Sequence, residues 1–189
     1  MQFTDSEGIR LEASLIFIND LESMVDVVCV ARNIDIDECE VMIGIDGGKG
    51  RLLTTLTISH HDQNVKWSSA KRTIVLACVA GVPENYENLK LILSKLKLNE
   101  FSLNLKVATD FKLINILNGL QSASSTFPCA YGKCKKPQKD RTWQVGPDRT
   151  FANLIEDNKN WVFQTESDRN KLKNFFSVEN PPILLSKIT

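Results

Sequence analysis

The stretch "VMIGIDGGKGRLL" (residues 41–53) decides the fold. It joins a run dense in β-forming residues to a second, alternating run, and Gly47, Gly48 and Gly50 stand between the two. Glycines placed between two such runs predict a tight β-hairpin. Asp46 directly precedes the glycines, where a strand is about to turn. Phosphotransferases that bind a nucleotide and nucleases that bind metal both place an acid there.

The charge balance limits how the chain can contact nucleic acid. Its 189 residues are enough for one ordinary domain with a sizeable core. Lys and Arg total 23 and Asp and Glu total 23, so the formal net charge is zero and the pI is about 6.7. A domain-wide nucleic-acid interface would show an excess of basic residues. Any such contact must therefore be local.

Neither a membrane nor a secretory pathway is indicated. No apolar run approaches the roughly 18 residues that a membrane span needs. The first residues, "MQFTDSEGIR", are polar and acidic, unlike a secretory signal. The five cysteines are odd in number and scattered, which is not typical of a disulfide framework. We therefore expect a nuclear or cytoplasmic protein that is not secreted and has no membrane partner.

The order of elements from about residue 40 predicts an α/β fold. Three β-rich runs, "EVMIGID", "RLLTTLTISH" and "RTIVLACVA", are followed by the helical pattern of "PENYENLKLILSKLKLN". A strand in "SLNLKVATD" and a helix in "FKLINILNGLQSAS" come next, with the helical stripe Phe111, Ile114, Leu117 and Leu120. This β-β-β-α-β-α order is typical of a ribonuclease-H-like mixed sheet. A right-handed crossover would place the fourth strand parallel beside the first, so that Asp46 and Asp110 meet.

The remaining parts of the chain are less regular. Residues 1–39 form an N-terminal segment, in which "LESMVDVVCVARN" fits a helix or a buried strand equally well. Residues 40–125 form the ribonuclease-H-like core. Residues 126–189 begin as a Cys- and Lys-rich loop and continue as a mostly irregular and helical extension. In that extension "TFANLIEDNKNWVF" predicts a helix anchored by Phe151, Leu154 and Trp161.

Asp46 and Asp110 together form a candidate metal site. Two carboxylates on adjacent strand ends can hold Mg²⁺ or Mn²⁺, which prefer oxygen ligands and keep several waters. The alternative is local: Asp46 begins an Asp-Gly hairpin turn and Asp110 caps the helix that follows it. The sequence leaves both interpretations open.

The segment "VATDFKLINILNGLQSASSTFPCAYGKC" (residues 107–134) resembles the catalytic core of Transib-type DNA transposases and of the V(D)J recombinase catalytic subunit. In that family the second catalytic Asp is followed by a Lys-Leu pair, a Gly-Leu pair, an Ala-Ser pair and a zinc-binding cysteine. The matching residues here are Asp110, Lys112-Leu113, Gly119-Leu120, Ala123-Ser124 and Cys129. The first catalytic Asp of the family stands in an Asp-Gly-x-Gly turn, which "IDGGKG" resembles at Asp46. The resemblance covers about residues 40–182, and also extends to transposon-derived proteins of simple animals.

This resemblance implies metal-dependent cleavage and transfer of DNA strands, with Mg²⁺ or Mn²⁺ held by Asp46 and Asp110. It implies DNA as the partner, a homodimer in a full-length context, and no small-molecule cofactor. The family's third acid, a Glu on a later helix, has no counterpart up to Thr189. Glu156, Asp157 and Glu166 are expected on a solvated helix face. We therefore expect a partial, transposon-derived catalytic core that is inactive alone, or else a non-catalytic DNA- or protein-binding module.

Cys129 and Cys134 stand where the resembled family binds zinc. Tetrahedral zinc needs four ligands, and the relatives supply two cysteines separated by two residues and two distant histidines. Here four residues separate the cysteines, and the histidines, His60 and His61, are adjacent in a predicted strand. Two thiols without Zn²⁺ are therefore the favoured interpretation.

A basic cluster follows the cysteines. Five positive charges fall within nine residues of loop: Lys133, Lys135, Lys136, Lys139 and Arg141. Such a cluster can neutralise DNA phosphates and make binding dependent on salt. The alternative is a solvated loop.

"IGIDGG" also resembles the first phosphate motif of the sugar-kinase and actin-like ATPase superfamily. Those enzymes need a Thr or Ser soon after the glycines, whereas Lys49, Gly50 and Arg51 follow them here. They also close two such domains over ATP. This phosphotransferase interpretation is the less favoured alternative.

Overall fold

A computed structural model describes residues 1–48, 50–60, 73–98, 100–103, 105–120, 128–135, 145–162, 178 and 180–183. It is a mixed α/β protein with two compact units, Met1–Asp110 and Phe111–Leu185. No helix within these ranges is long and apolar enough to cross a membrane.

The described residues of the first unit form seven strands and two α-helices. In chain order they are β1 (Gln2–Thr4), β2 (Arg10–Glu12), β3 (Leu15–Phe17), α1 (Leu21–Arg32), β4 (Cys39–Gly48), β5 (Arg51–His60), β6 (Thr73–Ala80), α2 (Tyr86–Lys95) and β7 (Leu105–Thr109). A short 3₁₀ helix, Ile36–Glu38, precedes β4. The main sheet has the strand order β3-β6-β5-β4-β7. Its pairs are antiparallel except β4 with β7, which is parallel.

The β4–β5 hairpin forms where the glycines predict it. Gly48 pairs with Arg51, which closes the hairpin, and Gly50 has the positive φ (71°) that favours glycine. Val41, Ile43 and Ile45 alternate along β4 and are buried on one face of the sheet. Asp46 lies within the strand and pairs with Leu53. The alternative in which Asp46 begins the turn is therefore wrong, because the strand continues two residues beyond it.

Helix α2 carries the chain across the sheet to β7. Asn85 caps the helix by accepting a hydrogen bond from the Asn88 amide, and Leu89, Ile92 and Leu93 are buried at helical spacing. β7 then pairs in parallel with β4, with Ile45 opposite Thr109. The predicted β-β-β-α-β order and the parallel neighbour are confirmed.

The N-terminal residues join the same unit. The ambiguous "LESMVDVVCVARN" forms α1, which begins after the capping Asp20, ends at Asn33 in the left-handed conformation, and buries Leu21, Val25 and Cys29. Its helical form follows from these caps and from apolar residues spaced four apart. β3, also from residues 1–39, pairs antiparallel with β6 at the edge of the sheet.

Side-chain amides attach the β1–β2 hairpin to α2. The Asn88 amide oxygen accepts from the Thr4 backbone N–H at 2.8 Å, and its Nδ2 donates to the Thr4 carbonyl at 2.8 Å. Asn88 is 1% exposed, so this reciprocal pair satisfies a buried polar side chain. The hairpin is thereby fixed to the crossover helix.

The second unit contains α3 (Phe111–Leu117) and α4 (Phe151–Val162). Leu120, Leu154 and Val178 form a buried cluster in it, as predicted for Leu120 and Leu154. The predicted stripe on α3 is wrong at Phe111, which is 50% exposed. Leu117 is buried as the predicted stripe requires, and Leu113, which the stripe did not include, is buried one turn before it. The side chains of Phe151 and Trp161 lie outside the described part of the chain.

Candidate functional site

Asp46 and Asp110 lie at neighbouring positions of parallel strands. The last pair in the β4–β7 register is Ile45 with Thr109. Asp46 directly follows Ile45, and Asp110 directly follows Thr109. Neighbouring strands in a sheet are about 4.8 Å apart. The crossover through α2 thus brings together two acids that are 64 positions apart in the sequence.

Both carboxylates are on the exposed side. Ile45 faces the core, and successive side chains on a strand alternate, so Asp46 points to the opposite face of the sheet. Asp46 and Asp110 are both solvent-exposed. A hydrated cation can therefore reach them without entering the core.

A pocket of about 400 Å³ opens beside Asp46. Its lining residues come from the β4–β5 hairpin and from β6: Asp46, Gly47, Gly48, Arg51, Leu53 and Cys78. The register explains the grouping, since Asp46 pairs with Leu53 and Leu53 pairs with Cys78. The three side chains form one row across three strands. The pocket therefore has an acidic side and a weakly polar floor.

Gly47 accommodates a neighbouring acid, Glu84. A Cβ built on Gly47 would collide with the Glu84 side chain, which lies in the connection between β6 and α2. The glycine thus lets Glu84 approach the β4 backbone from the face opposite the Asp46 side chain. Glu84 carried no sequence signal beyond its position shortly before a helix.

Among the residues that the structure describes, no three His, Cys, Asp or Glu side chains form a group that could hold a metal. Asp46 and Asp110 alone could contribute ligands to one hard cation, with waters completing its coordination. Two oxygen ligands fit the Mg²⁺ or Mn²⁺ chemistry proposed from the sequence, and they leave most positions on the ion to water or substrate.

Cys129 and Cys134 lie in the second unit as partly exposed, free thiols. The segment holding them pairs with residues farther along: Gly132 bridges Asp148, and Lys133 N–H donates to the Pro147 carbonyl at 2.8 Å. The side chain of His60 and all of His61 lie outside the described ranges. The described residues therefore add no further zinc ligand to Cys129 and Cys134.

Arg149 organises the cysteine segment. Its Nε donates to the Cys129 carbonyl oxygen at 2.9 Å, and its backbone N–H donates to the Tyr131 carbonyl at 2.8 Å. Burial lowers the pKa of Arg149, while Asp157 and the two thiols, Cys129 and Cys134, act in the opposite direction. Arg149 therefore has a structural role, because it holds the cysteine segment in place.

The basic cluster is divided by the structure. Lys133 Nζ lies 2.8 Å from Oδ2 of Asp157, and the two side chains are only 12% and 10% exposed. Lys135 is half-buried, and Lys136, Lys139 and Arg141 lie outside the described residues. Asp157 was expected on a solvated helix face. That expectation is wrong, because the acid is buried and paired with Lys133.

The mixed α/β chain belongs to the family described as a domain of unknown function (DUF8703), whose model matches residues 3–165. The match includes Asp46, Asp110, both cysteines and the whole basic cluster. A search of the curated proteins found no match.

Proposed function

We propose that this chain is a transposon-derived domain of ribonuclease-H-like type that binds a divalent cation between Asp46 and Asp110 and contacts DNA. The observation that carries the proposal is the parallel register of β4 and β7, which makes the two acids neighbours. The strand order β6-β5-β4-β7, with a helix between β6 and β7, supports the ribonuclease-H-like part of the proposal. The motif around Asp110 supports the transposase lineage.

Asp46 and Asp110 would be the residues that hold Mg²⁺ or Mn²⁺. A bound ion of this kind polarises a phosphate oxygen and orients a water for in-line attack. The carboxylates themselves position the ion and neutralise part of its charge. With two protein ligands, a second ion lacks the support it needs against the leaving oxygen, so we propose cation and DNA binding without strand cleavage by this chain alone.

DNA contact is assigned to the basic cluster without Lys133. The Lys133 ammonium is paired with Asp157 and largely buried, so moving it to a phosphate would leave a buried carboxylate alone. Lys135, Lys136, Lys139 and Arg141 are the proposed phosphate contacts. Four such charges are consistent with a local, salt-dependent interface on a chain of zero net charge.

Mn²⁺ binding, measured by electron paramagnetic resonance, tests the cation site. We expect the wild type to bind Mn²⁺ weakly, and Asp46→Asn and Asp110→Asn each to lower the affinity about tenfold or more, because one of two charged ligands is lost. Asp26→Asn is the matched control, since Asp26 is an exposed acid of the same unit, on α1. If the wild type binds no Mn²⁺, the cation site is disproved and the chain is a binding module that needs no metal.

A further inference from the structure

A positive charge, Arg51, lies in the pocket beside Asp46. Gly48 pairs with Arg51 and Asp46 pairs with Leu53, so Arg51 is the diagonal cross-strand neighbour of Asp46. Diagonal neighbours have Cβ atoms roughly 7–8 Å apart. Arg51 and Leu53 are two residues apart on β5 and therefore share the face of Asp46. Both Asp46 and Arg51 line the same 400 Å³ pocket.

The two charges do not neutralise each other directly. Asp46 and Arg51 make no ion pair, although each is exposed. An acid and a guanidinium held in one pocket at this separation can take a ligand between them. The acid favours a cation, and the guanidinium favours an anion whose oxygens match its planar fork of donors.

We infer that Arg51 binds the phosphate of a nucleic-acid strand in this pocket, next to the cation on Asp46. This inference rests on the proposed function and names its substrate group. The Asp46 carboxylate would repel a nearby phosphate unless positive charges surround that phosphate. The cation supplies one positive charge, and Arg51 supplies another on the side of Asp46 away from the cation.

The rest of the lining fits a nucleotide strand. Gly48 has no side chain and no atom within 4 Å of its Cβ position, so a sugar–phosphate backbone can approach the β4 main chain closely there. Leu53 and Cys78 form a weakly polar floor that suits a sugar or base ring. A volume of about 400 Å³ lies within the usual range for small-ligand pockets and holds one phosphate with one ring.

The test uses the dinucleotide thymidylyl-thymidine, titrated by NMR into the full chain with and without Mg²⁺. Arg51→Gln should weaken its binding about tenfold, the loss expected for hydrogen bonds to a charged group. Arg51→Lys, which keeps the charge but lacks the fork, should weaken it less. Arg10→Gln, an exposed arginine on β2, is the matched control and should bind like the wild type.

Cys78 reports where the dinucleotide binds. Bound ligand should slow maleimide labelling of Cys78, in the pocket, and leave Cys39, outside it, unchanged, as read by peptide mass spectrometry. Labelling that is equally fast with and without ligand would place the dinucleotide elsewhere and overturn the inference.

The outcomes separate this inference from the proposed function. If Arg51→Gln binds the dinucleotide like Arg10→Gln while the wild type binds Mn²⁺ through Asp46, the phosphate role of Arg51 is overturned and the cation site stands. If Arg51-dependent binding occurs in a chain that takes up no Mn²⁺, the cation site fails and the phosphate site stands. A wild type that binds neither probe overturns both.

Discussion

Lys133 and Asp157 form an ion pair with 2.8 Å between Nζ and Oδ2, and both side chains are about nine-tenths buried. The pair joins the cysteine segment to α4 within the second unit. Lys133, a member of the basic cluster that was predicted to contact DNA, therefore has a structural role.

Asp157→Ala should destabilise the protein by about 3 kcal/mol, because it removes the carboxylate that faces the largely buried Lys133 ammonium. Glu156→Ala, at the exposed neighbouring position of α4, should change the free energy of unfolding by less than about 0.5 kcal/mol. Urea unfolding followed by circular dichroism measures both. Equal stabilities for the two variants would mean that the pair contributes nothing.

Gly119→Ala should be strongly destabilising. Gly119 has φ of 70°, and a Cβ there would collide with the backbone carbonyl of Asn180, which cannot rotate away. Gly8→Ala is the control, since Gly8 also has a positive φ (82°) but no atom within 4 Å of its Cβ position. It should lose only about 1 kcal/mol, the backbone term alone. Thermal unfolding that ranks Gly8→Ala as the worse variant would contradict the contact between Gly119 and Asn180.

Replacing Lys135, Lys136 and Lys139 together with Ala should weaken binding to duplex DNA. Each lost phosphate contact should reduce the slope of log K against log salt by about 0.9. Fluorescence anisotropy at several salt concentrations gives the slope. The control removes three exposed lysines elsewhere: Lys90, Lys95 and Lys159. The same slope in both triple variants would assign the cluster to a solvated loop.

The wild type should not nick supercoiled plasmid in Mn²⁺, the more permissive metal. Catalytic groups that act as a unit lose most of the catalytic rate when one of them is missing. Two carboxylates without the third are therefore expected to give almost no activity. Nicking that the double variant Asp46→Asn, Asp110→Asn abolishes would show that a third ligand exists.

Stability should fall in alkaline solution through Cys39. Burial raises the pKa of the Cys39 thiol to about 11 from 9.0, and the neighbouring Cys29 acts in the same direction. Because the folded-state pKa lies above the unfolded value, this contribution is complete below about pH 9 and is lost as the pH rises to about 11. Urea unfolding across this range should show a shallower decline for Cys39→Ala. Cys78→Ala, the control in the same sheet, should keep the wild-type decline.

Local patterns in the sequence were sufficient to predict most strands of the main sheet and the pair of acids, Asp46 and Asp110. Alternation along residues 41–60, the glycines of the turn and the leucine spacing of α2 are short-range signals, because they reflect the periods of strands and helices. The β-β-β-α-β-α element order, typical of a ribonuclease-H-like sheet, then predicted β7 parallel beside β4, and the register confirms this neighbour. The prediction that Asp46 and Asp110 meet followed from that order without any tertiary information.

Contacts between distant segments were decided only in the tertiary structure. No local period reveals that Lys133 meets Asp157, that Glu84 lies over Gly47, or that β3 pairs with β6. Arg51 looked like an ordinary residue after a turn until the β4–β5 register placed it in the pocket of Asp46. The first three contacts depend on packing between residues far apart in the chain, and the place of Arg51 depends on the exact hairpin register, so neither is visible as a local period of the sequence.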